Sequence, residues 1–573
     1  MHLKDKQKFI NWRVHFLMVI VFLVALYILS QLFVLQVLKY DIYEALAQAQ
    51  YKSNISLLPK RGEIFIKDLY SDQLYPLATN KELWVCWVVP KQIQNPDNAA
   101  SKLASILDLP EKEIIKKLSK PDDPYEILKH KLTEETAQKI KELKIRGVGL
   151  TPENWRYYPE GAFASHLLGF VGYSGGKRKG QYGVEGYYNK VLEGSAGFLS
   201  SERDVKGRWI AVGQRNFTPA QDGDDLVLTI DHTIQFTAEE KIREAVNRFG
   251  ADGGSIIVMD PRSGAITALA NSSSFDPNNY SEVAGLNVFL NPAIHYLFEP
   301  GSVFKPITMA AALDTGSVTP ETLYEDKGVV SLDGYNIRNS DGRAHGFKTM
   351  TEVLEESLNT GAIFALERTG KSTFLRYVRD FGFDVPTGVD LEGEAEGDIS
   401  NLSVKNDINY ATASFGQGIS VTPMELIVAI SAIANDGKLM QPYIVDKFIH
   451  HNGTISKTEP KMVRQVISPK TANCLAAMMV SVVRNGYGKK AGVDGYNVAG
   501  KTGTAQVPNI EGRGYSDKTI HTFVGFGPVP NPRFVIFIKL DNPKGIRFAS
   551  DSVAPVFREL AEFLFSYYQI PPE

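Results

Sequence analysis

Five hundred and seventy-three residues exceed what one hydrophobic core organises, so several structural units are expected. With 62 basic against 65 acidic side chains the net charge is −3, which leaves no general positive field to draw the chain to nucleic acid. A composition of 43% hydrophobic and 22% charged residues excludes collagen-like and disordered chains, and two cysteines, Cys86 and Cys474, exclude both a disulfide framework and a four-thiolate zinc site.

The chain opens with a tail, residues 1–13, that carries Lys4, Lys6, Lys8 and Arg13. Residues 14–38 follow without a single Asp, Glu, Lys or Arg. At about 1.5 Å per residue a helix of that length crosses a hydrocarbon layer of about 30 Å. The basic tail predicts an inside amino terminus, with the rest of the chain on the outer side of the membrane, which in a bacterium means the periplasm or the external wall space. Ala45-Leu46-Ala47 has the spelling of a signal-peptidase site, but signal cores run to about 7–15 residues, so the expectation is a retained anchor.

Residues 41–222 alternate short β-rich pieces, such as LWVCWVV over 83–89, with amphipathic helical stretches. Over 132–143, Thr133 precedes a glutamate-rich first turn, and Ala137, Ile140 and Leu143 recur at helical spacing. This pattern predicts an elongated α+β pedestal. TPAQDGDD over 218–225 reads as a linker. Residues 226–573 then change character. LVLTID predicts a strand, 233–246 a helix, and SIIVMD and AITALAN two apolar strands about a PRSG turn, with late strands at HTFVGFG and RFVIFIKL.

The segment that carries chemistry is Glu299-Pro300-Gly301-Ser302-Val303-Phe304-Lys305-Pro306, ahead of the apolar run ITMAAAL. Pro300 and Gly301 break the chain, so Ser302 stands where a helix begins and Lys305 returns to its face one turn later. A serine hydroxyl is a poor nucleophile until a base takes its proton, and a lysine amine serves once burial or a neighbouring cation lowers its pKa. A second Ser-x-x-Lys, Ser174 to Lys177, lies in a glycine-rich loop and is set aside as coincidence. Downstream of Ser302 come Ser357-Leu358-Asn359 and then Lys501-Thr502-Gly503-Thr504.

That order of Ser-x-x-Lys, Ser-x-Asn and Lys-Thr-Gly resembles the serine acyltransferases. Over nearly the whole chain the sequence is similar to class B penicillin-binding proteins, the membrane-anchored enzymes that cross-link peptidoglycan. Arg61-Gly62-Glu63-Ile64, Arg156-Tyr157-Tyr158-Pro159 and Gly183-Val184-Glu185-Gly186-Tyr187-Tyr188 look like pedestal motifs of that family. Thr387-Gly388-Val389-Asp390-Leu391 and Phe415-Gly416-Gln417-Gly418 with Thr422-Pro423 look like catalytic-domain segments. The resemblance implies an α/β penicillin-binding transpeptidase domain over 226–573, an antiparallel sheet flanked by helices, behind a dimerisation-like pedestal over 41–222.

It also implies roles. Ser302 would attack the penultimate D-Ala carbonyl of a donor stem peptide and release the terminal D-Ala, and Lys305 would be the general base. Ser357 would relay a proton with help from Lys501, and Asn359 would orient Lys305 and bind the substrate amide. Lys501, Thr502, Gly503 and Thr504 would line a strand edge for the terminal carboxylate, and the backbone N–H groups of Ser302 and Thr504 would form the oxyanion hole. Implied partners are stem peptides, β-lactams that acylate Ser302, the lipid bilayer at 14–38, and a membrane-embedded glycan polymerase of the shape, elongation and division family. No metal or organic cofactor is implied. Ser201-Glu202-Arg203-Asp204 with Gly207-Arg208 looks more like the division branch than the elongation branch.

Gly495 to Thr502 also spells the phosphate-loop pattern GxxxxGK[ST]. A poor strand ahead of it, and Pro508, Gly512 and Gly514 after it, speak against the strand–loop–helix setting that such a loop needs. A D,D-carboxypeptidase or β-lactamase of the same fold remains an alternative, although the one nearby Glu-x-x-Leu-Asn match, Glu355 to Asn359, overlaps Ser-x-Asn and cannot fill a second role. From another class, a non-catalytic membrane scaffold for a glycan polymerase also remains open.

Overall fold

The computed structural model describes residues 4–40, 52–71, 73–120, 123–202, 216–404, 406–509 and 514–573. The Ala45-Leu46-Ala47 candidate and Arg203, Asp204, Gly207 and Arg208 of the branch motif lie outside them. The chain divides into two compact units, residues 1–59 with 194–221, and residues 60–193 with 222–573.

In the first unit, helix α1 (Lys4–Phe33) continues into one π-helical turn, Val34–Leu38. Its segment Val14–Leu38 is long and apolar enough to cross a membrane, with a mean hydropathy of 2.7 and no residue buried by protein. The same unit holds an antiparallel sheet of Lys52–Leu57, Gly197–Glu202 and Asn216–Thr218.

In the second unit the elements that carry the site come late. Helix α2 (His232–Phe249) is started by the Asp231 carboxylate, which accepts from Ile234 N, and is stopped by Gly250 in the left-handed conformation. Strands β1 (Gly253–Met259) and β2 (Ile266–Asn271) pair about the PRSG turn. Helices α3 (Lys305–Asp314), α4 (Asn359–Thr369), α5 (Pro423–Ala434) and α6 (Pro469–Arg484) follow, then strands β3 (Ala499–Pro508), β4 (Tyr515–Gly527) and β5 (Phe534–Asp541), and helix α7 (Ala549–Tyr567).

The five strands form one sheet of order β2-β1-β5-β4-β3, antiparallel throughout. Its two faces feed two separate cores. Ile257 and Phe537 pack with α3 and α5, while Ile256 and Ile538 pack with α2 and α7. A sheet covered on both sides explains why FVIFIKL of β5 is apolar without alternation. Helix α5, buried on every face, is apolar all round and is started by a Thr422–Glu425 capping box with Pro423 in its first turn.

Residues 60–193 belong to this unit because Ile64–Lys67 runs parallel to Asp225–Asp231 in a seven-stranded sheet. The three pedestal motifs meet at one buried carboxylate. Glu185 accepts from Arg61 Nε at 2.8 Å, Arg156 Nε at 2.6 Å and Tyr158 OH at 3.2 Å, with no side-chain exposure. Burial raises its pKa, but the two guanidiniums outweigh burial and hold it below the ordinary carboxylate range. Glycines in and beside these motifs make room for this junction. A Cβ on Gly180 would stand 1.9 Å from Glu185 O, and one on Gly62 would stand 1.9 Å from Asp224 O. Asp390 of the TGVDL segment likewise accepts from Tyr188 OH at 2.9 Å and Val445 N at 3.0 Å.

Breaking one partner of a buried ion cluster leaves uncompensated charge, so Glu185→Ala should cost about 3–5 kcal/mol in chemical denaturation. A loss below about 1 kcal/mol would show that the cluster is not what joins these segments.

Candidate active site

The Ser302 turn is a 3-10 segment, Gly301–Phe304, that runs directly into α3 and sets Lys305 at the first helical position. Gly301 takes a left-handed φ of 59°, and its N–H donates to Gly416 O at 2.9 Å. Gly416 must itself lack a side chain, because a Cβ there would stand 2.2 Å from Gly301 O. Behind the turn, Glu299 accepts from Gly418 N at 3.0 Å and Tyr515 OH at 3.0 Å, and Thr308 Oγ1 of α3 donates to Ser414 O at 2.7 Å. The Phe-Gly-Gln-Gly segment is thus the cradle of the Ser302 turn.

Strand β3 approaches from the other side. It is the edge of the sheet, bonded to β4 with Lys501 opposite Val524 and Thr504 opposite His521. A Cβ on Gly503 would stand 2.9 Å from Val303 Cγ1 and 3.1 Å from Pro300 O, so glycine lets this strand lie against the Ser302 turn. Thr504 Oγ1 accepts from Ala549 N at 3.1 Å, which ties the strand to the start of α7.

Ser357 sits between Met350–Glu355 and α4 with a left-handed φ of 55°, a conformation that costs a serine about 1–2 kcal/mol. Its hydroxyl is where the motifs converge. Lys501 Nζ donates to Ser357 Oγ at 2.9 Å and to Thr502 O at 3.1 Å. Lys305 Nζ contacts the same Oγ at 3.3 Å and also bonds the Ser357 carbonyl. Both amines are almost completely buried. Burial pushes Lys501 down to about 7, and burial together with the positive charge of Lys501 pushes Lys305 well below the ordinary lysine range.

Ser302, Ser357, Asn359, Thr502 and Thr504 line one cavity of about 590 Å³. Both motif lysines lie beneath it, each bonded to Ser357 of its wall. Among the described residues Ser302 Oγ makes no hydrogen bond, so its immediate base contact is not preformed.

Asn359 departs from the expectation. It lines the cavity, but its Nδ2 donates to Arg338 O at 2.9 Å rather than engaging Lys305, so Ser357 is the residue that holds the Lys305 amine. The cause lies outside the motif: Asn339 Oδ1 accepts from Asn359 N at 3.0 Å and Thr360 N at 3.3 Å, capping α4 from a distant strand end. Asn339 is held in turn by the buried Asp326 carboxylate at 2.8 Å. Sequence reasoning missed Asp326 and Asn339, because a cap that comes from a remote segment leaves no local spelling.

Two other spellings resolve as expected. Ser174 and Lys177 face each other across a hairpin whose turn is Gly175 and Gly176, both at positive φ. Lys501 and Thr502 of the phosphate-loop pattern sit in strand β3, and the next element among the described residues is strand β4 rather than a helix.

Residues 254–562 match the model of the penicillin binding protein transpeptidase domain, and residues 56–228 that of the penicillin-binding protein dimerisation domain. The chain is 36% identical over 518 residues to stage V sporulation protein D of Bacillus subtilis, covering 89% of this chain and 79% of that one. To the peptidoglycan D,D-transpeptidase FtsI of Escherichia coli it is 28% identical over 580 residues, covering 100% and 94%. Penicillin binding protein 3 of Mycobacterium tuberculosis, solved in complex with aztreonam, superposes with a TM-score of 0.69 at 26% identity, over 91% of this chain and 98% of that one.

The buried amines predict a stability signature. Lys501 has a folded-state pKa of about 7 against an ordinary 10.5, so the folded chain binds fewer protons than the unfolded chain between those values. Stability therefore falls as pH drops from 10.5 towards 7, and the loss is complete below about 7. Lys501→Met should stabilise the fold by about 1–3 kcal/mol at neutral pH and flatten that pH dependence while abolishing acylation. Denaturation curves at several pH values check this; unchanged or lower stability in the variant would contradict it.

Proposed function

The chain belongs to the penicillin-binding protein transpeptidase family, and from that premise we propose that it is a serine D,D-transpeptidase that cross-links peptidoglycan stem peptides and is acylated by β-lactams. The observation that carries the reading is the pair of buried, pKa-lowered lysine amines meeting at Ser357 beneath the cavity that Ser302 lines.

In the proposed reaction Ser302 Oγ bonds to the penultimate D-Ala carbonyl carbon, and its proton passes to Lys305, a neutral base because burial and Lys501 disfavour its charged form. The N–H groups of Ser302 and Thr504 stabilise the developing oxyanion, a contribution of about 3 kcal/mol for one donor. Ser357, already bonded to both amines, carries the proton to the departing D-Ala nitrogen as the C–N bond breaks. An acceptor amine then attacks the ester carbonyl, the new amide forms, and the proton returns to Ser302. Thr502 and Thr504 on the cavity wall take the terminal carboxylate with Lys501 beneath, and Asn359 receives the substrate amide.

The apolar Val14–Leu38 segment and the basic tail support an anchor with its amino terminus inside, and residues 226–573 acting as the catalytic region outside the membrane behind the 41–222 pedestal. A glycan polymerase of the shape, elongation and division family is the proposed membrane partner, in a division-type role.

Fluorescent penicillin should label the purified full chain covalently and leave Ser302→Ala unlabelled although folded. Lys305→Ala should lower the acylation rate by about 10²–10⁴-fold. Folded wild-type protein that takes no label would remove the enzyme reading, and exclusive hydrolysis of donor peptide in the presence of an acceptor amine would make it a carboxypeptidase.

A further inference from the structure

Each wall of the catalytic cavity carries a guanidinium that the proposed mechanism does not use. Arg338 ends the strand Tyr335–Arg338, and its carbonyl accepts from Asn359, so it is tied to the Ser-x-Asn wall. Arg547 lies two residues before Ala549, whose N–H donates to Thr504 Oγ1, so it is tied to the Lys-Thr-Gly wall. Both line the same 590 Å³ cavity as Ser302. Among the described residues neither forms an ion pair or a side-chain hydrogen bond, and the Arg547 guanidinium lies over the Phe548 ring, 4.9 Å from its centroid. Asp341, the one acidic residue lining the cavity among the described residues, is committed elsewhere, accepting from Arg343 N at 3.0 Å and pairing with His345 Nε2 at 2.9 Å.

A cleft lined by two unneutralised arginines is electrostatically suited to an anion. The guanidinium fork matches a carboxylate better than any other group a peptide carries. The terminal carboxylate of the donor is already assigned to Thr502 and Thr504, so the two arginines await a different one.

Resting on the transpeptidase reading, we infer that Arg338 and Arg547 select stem peptides bearing a second free carboxylate, on the side chain of the residue next to the reacting D-alanine. They are specificity-determining residues: they touch the substrate away from the bond that breaks, so their effect falls on KM rather than kcat.

The test uses the full chain in detergent and three synthetic pentapeptide ester donors that differ in one group. In these donors that side chain ends in a carboxylate, a carboxamide or an amine. The carboxylate donor should show a kcat/KM about tenfold above the carboxamide, carried by KM and shrinking from about 0.05 to about 0.5 M salt. Arg338→Gln and Arg547→Gln should each cut that ratio severalfold, and the double variant should bring it to about one. A wild-type ratio near one, a preference for the amine, or a ratio that survives in the double variant overturns the inference. If penicillin labels Ser302 while the donors are turned over without discrimination, this inference alone fails; if neither penicillin nor any donor acylates the protein, the transpeptidase reading fails and takes this one with it.

Discussion

Two ammonium-bearing side chains buried against one hydroxyl are the constraint on which the rest of this structure depends. Taking a lysine amine out of water disfavours its charge, and setting a second one beside it disfavours the charge further. The fold therefore keeps at least one amine in the neutral, proton-accepting form near physiological pH, with Lys501 held at about 7 and Lys305 pushed well down. No single element imposes this condition. Lys305 comes from the start of α3, Ser357 from a strained junction before α4, and Lys501 from the edge strand β3.

What holds three remote segments at hydrogen-bond distance is close backbone approach. Gly416 lies on Gly301, and Gly503 lies on Pro300 and Val303, each at a separation a methyl group would not fit. The site is thus framed by glycines that touch no substrate, and the left-handed Ser357 carries the strain such framing allows. The pedestal segments use the same device around Glu185, where glycines admit backbone and two arginines neutralise a buried carboxylate.

Much of the site was legible in the chain. Ser302 and Lys305 are close because both lie on one helical turn, a local fact that spacing reveals. The strands SIIVMD and AITALAN, the helix after Asp231 and the Thr133 cap followed from period and capping chemistry alone. Less legible was what Asn359 would touch: a helix start can be read locally, but its cap came from Asn339 on a separate strand. The two cavity arginines were invisible for a related reason, since Arg338 and Arg547 share no motif and come to line one cavity only through the walls that carry them.

By itself, then, the sequence determined what is set by covalent order and local periodicity: the apolar span, the helix starts, the buried strands, and the chemical types available for acyl transfer. Only the tertiary structure decided which hydroxyl the lysine amines share, that Ser357 rather than Asn359 steadies Lys305, and which charges the cleft leaves unpaired. Proton affinities and side-chain partnerships are set by burial and by neighbours distant in sequence, and neither exists until the chain has folded.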